Sequence, residues 1–105
     1  MLTQDAAIET IRNYANEIIS SGVNLRKVIL FGSFAKGTQH EWSDIDVALV
    51  ADEFSGFTFA DKNKFSRIGI KAPYIRIQSK TYPTRYFLQG DPFIDEIKRT
   101  GIEVM

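Results

Sequence analysis

A Gly-Ser pair at the end of one apolar run and an Asp-x-Asp at the head of the next constrain this chain more than any other feature. Val28-Ile29-Leu30-Phe31 leads into Gly32-Ser33, and after ten intervening residues Asp44-Ile45-Asp46 opens Val47-Ala48-Leu49-Val50. Short, continuous apolar runs rich in β-branched residues read as strands covered on at least one face. Residues two apart on a strand share a face, so Asp44 and Asp46 project to the same side. Two carboxylates that close repel unless a cation lies between them or one keeps its proton. Gly32 permits close backbone approach, and Phe34-Ala35-Lys36 ahead of Gly37 reads as a short helical turn whose N–H groups point back over Gly32 and Ser33. A backbone anion cradle beside two carboxylates suits a nucleoside triphosphate held together with divalent metal.

The remaining elements build around that pair. Residues 3–21 carry Ala7, Ile8, Ile11, Tyr14, Ala15, Ile18 and Ile19 at helical spacing, with Thr3 as cap, Asp5 in the first turn and Gly22 at the end. The strand after it spans residues 27–31, and the second runs from about Asp44 to Val50. A turn at 52–56 precedes a helix over 57–69, whose apolar positions are Phe57, Ala60, Phe65 and Ile68. Pro73 opens a third strand over 74–79, with Ile75 and Ile77 toward the core and Tyr74, Arg76 and Gln78 facing the other way. Residues 82–89 read as a linker with room for one turn of helix. Asp91-Pro92 starts a last helix that buries Phe93, Ile94 and Ile97, keeps Lys98 and Arg99 in its final turn and ends at Gly101; residues 102–105 add an edge strand. The order α-β-β-α-β-α predicts an α+β domain over residues 1–105, a small mixed sheet with helices on one face and an open nucleotide cleft on the other.

Bulk properties narrow the partners. Thirteen basic residues balance thirteen acidic ones, which gives no field for general nucleic-acid binding. The absence of cysteine removes disulfides and thiolate metal sites and fits a reducing compartment. Met1-Leu2-Thr3-Gln4-Asp5 lacks the regions of a signal peptide, and no apolar run nears the roughly 20 residues of a membrane span, so the expectation is a soluble, cytoplasmic chain with no membrane partner.

Gly32-Ser33-Phe34-Ala35-Lys36-Gly37 followed by Ser43-Asp44-Ile45-Asp46 resembles the signature of the minimal nucleotidyltransferases, within the DNA polymerase beta-like superfamily. The ending from Gly90-Asp91-Pro92-Phe93 through Lys98 to Glu103 is similar to the C-terminal helix of such proteins. The resemblance implies that Gly32 and Ser33 bind the β- and γ-phosphates. It also implies that Asp44 and Asp46 act catalytically by holding two Mg²⁺ ions, and that a nucleoside monophosphate, AMP from ATP, is transferred to a hydroxyl. It further implies a protein partner: small proteins of this kind act as antitoxins beside a helical HEPN-domain toxin.

One position departs from the pattern. The superfamily supplies a third carboxylate from the third strand, whereas this strand offers Arg76 and Gln78. Gln78 is isosteric with glutamate but carries no charge and cannot act as a base. Arg76 can face phosphate or pair with Asp44 and Asp46, and Asp52 or Glu53 stands beyond the second strand as a substitute acid. Lys36 either steers the triphosphate or is simply solvated; His40 is an exposed loop residue and Trp42 packs the loop down. Two functions therefore compete: an active transferase, and a nucleotidyltransferase-fold antitoxin or regulator that binds a partner without turnover.

Overall fold

A computed structural model describes residues 2–105. Helix α1 (Gln4–Ser20) starts where Thr3 Oγ1 accepts the Ala6 N–H at 3.1 Å, and its buried stripe is Ala7, Ile11, Tyr14, Ala15 and Ile18. Strand β1 (Leu25–Phe31) pairs antiparallel with β2 (Ile45–Ala51), and the short helix α2 (Ser33–Lys36) lies in the connection between them. A crossover through α3 (Thr58–Lys62), a 3₁₀ turn at Asn63–Phe65, α4 (Ser66–Gly69) and a second 3₁₀ turn at Ala72–Tyr74 leads to β3 (Ile77–Pro83). Strand β3 runs parallel to β2. Helices α5 (Thr84–Gln89) and α6 (Pro92–Thr100) follow, and β4 (Ile102–Glu103) closes antiparallel to β1, giving the strand order β3-β2-β1-β4. Among the described residues no helix is long and apolar enough to cross a membrane.

Strands β1 and β2 are apolar on both faces, and this decides the layering. Val28, Leu30, Ile45, Val47, Leu49 and Ala51 join Ile11, Tyr14 and Ile18 of α1, with Phe54, Phe65 and Ile68, in the larger core. Ile29, Ala48 and Val50 form a second apolar patch on the opposite face, where Phe87 of α5 and Ile94 and Ile97 of α6 bury it. The α+β class and the mixed sheet are as the sequence indicates, but the second face is less open than expected. A sheet face that carries three buried aliphatic residues has to be covered, and the helices leave two grooves on it, one at the end nearest Asp46 and one lined by Lys27, Ile29, Phe87 and Ile97.

Three segments differ from the sequence reading. The helix expected over 57–69 is broken in three: Phe57 is exposed, and α3 buries not an apolar residue but Asp61, 2 % exposed. The Asp61 carboxylate accepts hydrogen bonds from Ser55 N, Gly56 N, Ser55 Oγ and Thr81 Oγ1 at 2.6–3.0 Å, which ties the preceding turn to β3. The third strand begins three residues later than expected, because Pro73 belongs to a 3₁₀ turn; Tyr74 is buried, Ile75 is 70 % exposed, and the alternation runs through Ile77, Ser79 and Thr81. Residues 82–89 are the end of β3 and helix α5 rather than a linker. Helix α6 starts as expected, with Asp91 Oδ1 accepting the Ile94 N–H at 2.7 Å. Gly101 ends it through lack of bulk rather than left-handed backbone, since a Cβ there would lie 2.7 Å from Ile29 Cγ2.

Candidate active site

Asp46 is the second residue of β2 and half-buried, and Asp44 lies exposed just ahead of the strand. Both line a groove of about 470 Å³ with Phe31, Thr58, Gln78, Ser79, Lys80 and Phe93. Burial pushes the Asp46 carboxyl above its ordinary range, the Asp44 charge adds to the rise, and Lys80 opposes it. The carboxylate pair is short of positive charge. Gly32, at the end of β1, closes against it: a Cβ on Gly32 would lie 2.3 Å from Asp46 Oδ2, and the residue holds φ at +75°. Neither the space nor the torsion suits an L side chain. The loop backbone and the carboxylate are therefore packed together by the absence of a side chain.

The flanking loop is held from several directions. Gln4 Nε2 donates to Phe34 O at 2.8 Å, so the first turn of α1 anchors α2, whose Phe34 is fully buried. Ser33 opens α2 and its carbonyl accepts the Thr38 N–H at 3.0 Å. Lys36 places its ammonium 3.7 Å from Glu96 Oε1 on α6; Gly32, Ser33 and Lys36 are not among the residues lining the groove, which Gly32 meets through its contact with Asp46. Next to Asp44, Ser43 is buried and its Oγ accepts the His40 N–H at 2.9 Å, while His40 Nδ1 accepts the Trp42 N–H at 3.2 Å. His40 is a loop residue as expected, but Trp42 is 81 % exposed and packs nothing down.

Arg76 corrects the sequence reading. It precedes β3, and its guanidinium donates to the carbonyls of Glu41 (3.2 Å) and Ser43 instead of facing phosphate or the two aspartates. With Ile45 N donating to Arg76 O at 3.0 Å, the residue clamps the stretch that presents Asp44. Gln78 does face the groove, in register beside Asp46. Asp52 and Glu53 cannot join them, because they stand beyond the far end of β2: Asp52 pairs with Arg26 at 2.9 Å and Glu53 Oε1 accepts the Asn24 N–H at 3.2 Å.

Among the described residues no group of three or more His, Cys, Asp or Glu side chains is placed to hold a metal ion. Two carboxylates, one of them charge-starved, nevertheless fit Mg²⁺, which is held by one or two carboxylates plus substrate phosphates and keeps several waters. The site suits a metal that arrives with a nucleotide, not a resident ion in an all-protein cage.

Five groove residues, Phe31, Thr58, Ser79, Lys80 and Phe93, are not among the candidates the sequence offers. Lys80 lies one residue beyond the strand expected over 74–79; the alternation Ile77, Ser79, Thr81 continues past that bound and sets Gln78, Lys80 and Tyr82 on one face. Phe93, expected in the buried face of α6, is 46 % exposed, packs edge-on against Phe31 at 5.8 Å and receives the Lys80 ammonium at 4.9 Å from its ring centre.

Residues 8–100 match the family model described as a nucleotidyltransferase domain. A Methanocaldococcus jannaschii protein provisionally named a protein adenylyltransferase is 34% identical, the match covering 92% of this chain and 97% of that one. Among solved structures, the fold is shared with a provisionally named nucleotidyltransferase from Sulfolobus solfataricus (TM-score 0.67, 23% identity, 95% of this chain and 80% of that one). It is shared too with a chain of a toxin–antitoxin solved with AMP-PNP (TM-score 0.61, 19% identity, 89% of this chain and 71% of that one). A Gly-Ser loop packed on an Asp-x-Asp strand, and a family model that spans nearly the whole chain, lead to one conclusion: this chain belongs to the nucleotidyltransferase domain family.

Proposed function

We propose that the chain transfers a nucleoside monophosphate, AMP from ATP, to a hydroxyl on a partner protein. The observation that carries this is the closure of Gly32 onto Asp46 beside Asp44, at the mouth of a groove on the second sheet face. In this reading the Gly32-Ser33 backbone receives the β- and γ-phosphates, with the Ser33 hydroxyl as a further donor. Asp44 and Asp46 hold the Mg²⁺ that accompanies the nucleotide, and Arg76 fixes the stretch from which Asp44 projects. Bound there, Mg²⁺ neutralises the phosphates and the leaving pyrophosphate. The acceptor oxygen bonds to the α-phosphorus as the bridge to the β-phosphate breaks; the acceptor proton passes to water, since Gln78 is no base.

The adenylyl donor and protein acceptor are supported by the name of the Methanocaldococcus jannaschii relative. The toxin–antitoxin neighbour with AMP-PNP supports a nucleotide ligand and a macromolecular partner, for which a HEPN-domain toxin is our candidate, in the cytoplasm. Gln78 beside Asp46 favours a second reading, an antitoxin that binds its partner and nucleotide without turnover.

Label transfer separates the two. Purified protein, Mg²⁺ and α-phosphate-labelled ATP are mixed with a lysate of the native host, with the Asp44→Asn, Asp46→Asn double variant as control. Label on a discrete protein with wild type only is the outcome expected of the transferase. No label, with thermal stabilisation by Mg²⁺ and ATP retained, selects the binding module; loss of both refutes the nucleotide site.

A further inference from the structure

One cation lines the groove among the described residues, and the reading above gives it no part. Lys80 faces the same way as Gln78, two residues on, in register with Ala48 as Gln78 is with Asp46. The other basic candidates are engaged elsewhere, Lys36 by Glu96 and Arg76 by backbone carbonyls. Among the described residues Lys80 forms no ion pair. Its ammonium rests on the face of Phe93, a cation–π contact that leaves its N–H donors free for an anion.

Its place on the sheet says which anion. Strands β1 and β3 flank β2 at two strand spacings, about 10 Å apart; Gln78 stands across Asp46 from Phe31, and Lys80 follows two residues further along β3, beside Ala48, diagonally across Asp46 from the Gly32-Ser33 loop. A triphosphate whose β- and γ-groups sit on the Gly32 side brings its α-phosphate over Asp46 toward β3. The charges agree. Two carboxylates with one divalent ion and one lysine carry the same single positive charge as three carboxylates with two divalent ions.

We propose that Lys80 is the α-phosphate ligand of this site and takes the place of a second metal ion, so that the chain works with one divalent cation held by Asp44 and Asp46. This rests on the nucleotide-site reading, and its test is built to fail separately. Binding of α,β-methylene-ATP and of AMP is measured calorimetrically for wild type, Lys80→Met and Lys80→Arg. Mn²⁺ bound with α,β-methylene-ATP is counted by electron paramagnetic resonance. Wild type should take up one Mn²⁺ per chain. Lys80→Met should bind both nucleotides about ten- to a hundredfold more weakly, and Lys80→Arg should recover most of the loss. Adding Gln78→Glu to Lys80→Met should bring in a second Mn²⁺. Two Mn²⁺ in wild type, unchanged affinity in Lys80→Met, or a loss for the triphosphate with AMP unaffected overturns the proposal and leaves the nucleotide site standing. A wild type that binds no nucleotide removes both. Thermal melts of the two Lys80 variants, each altered at an exposed side chain, verify the fold.

Discussion

Replacing Gly32 by alanine tests the geometry on which the site depends. The new Cβ would lie 2.3 Å from Asp46 Oδ2, and the backbone would have to hold φ +75° and ψ −152° with a side chain present. Holding an L residue in such a region costs about 1–3 kcal/mol. Forcing the carboxylate aside adds the penalty of an overpacked contact, about 1–3 kcal/mol. A total of about 4 kcal/mol lowers the melting temperature of a domain this size by roughly 16–32 °C. The assay is urea and thermal unfolding of Gly32→Ala, Asp46→Ala and the double variant. Removing the carboxylate frees the space but not the torsion, so the double variant should recover the steric part, about 1–3 kcal/mol, and keep the backbone part. Strict additivity of the two changes, or a Gly32→Ala melting temperature within about 2 °C of wild type, would show that Gly32 and Asp46 are not packed as described.

Asp46→Asn should raise the stability of the ligand-free protein near neutral pH while abolishing stabilisation by Mg²⁺ and ATP. The folded Asp46 carboxyl sits above its unfolded range, so its charge disfavours folding, an effect that sets in as pH rises through the unfolded pKa and is complete above the folded one; pH-dependent melts of the pair measure it. Asp61→Ala should lose about 2–4 kcal/mol in urea unfolding, because Thr81 Oγ1 and the Ser55–Gly56 turn lose a buried acceptor. Burial alone would raise the Asp61 carboxyl, but its hydrogen bonds from Thr81, Ser55 and Gly56 outweigh this and hold it low; its contribution is present above the unfolded pKa near 4 and lost as pH falls through the lower folded value, so acid unfolding should start earlier in Asp61→Asn. Arg76→Ala should weaken nucleotide binding roughly tenfold, since Arg76 Nη2 donates to the carbonyls of both Glu41 and Ser43 in the stretch that presents Asp44; unchanged affinity in titration calorimetry would refute the clamp.

Local chemistry alone determined much of this protein. The stripe of α1 and its Thr3 cap, the Asp91 cap of α6, the two apolar strands and the Asp44-x-Asp46 face are all set by interactions within a few residues, and each lies where the pattern places it. The family followed from the same stretch, because the Gly32-Ser33 loop and the Asp44-x-Asp46 strand head form a pattern legible without the fold.

Tertiary structure decided what depends on long-range contact. Whether 57–69 forms one helix turned on Asp61, whose partner Thr81 lies 20 residues away, and no periodicity in the segment announces that bond. The start of β3 turned on Tyr74, which packs on Tyr14 of α1 and so takes the side an alternating pattern assigns to Ile75. The alternation kept Ile77 and Gln78 on their expected sides, but the strand starts and ends later, which left Arg76 ahead of it and brought Lys80 into it on the side of Gln78. Where pairing begins and ends is set by the neighbouring strand rather than by the strand's own residues.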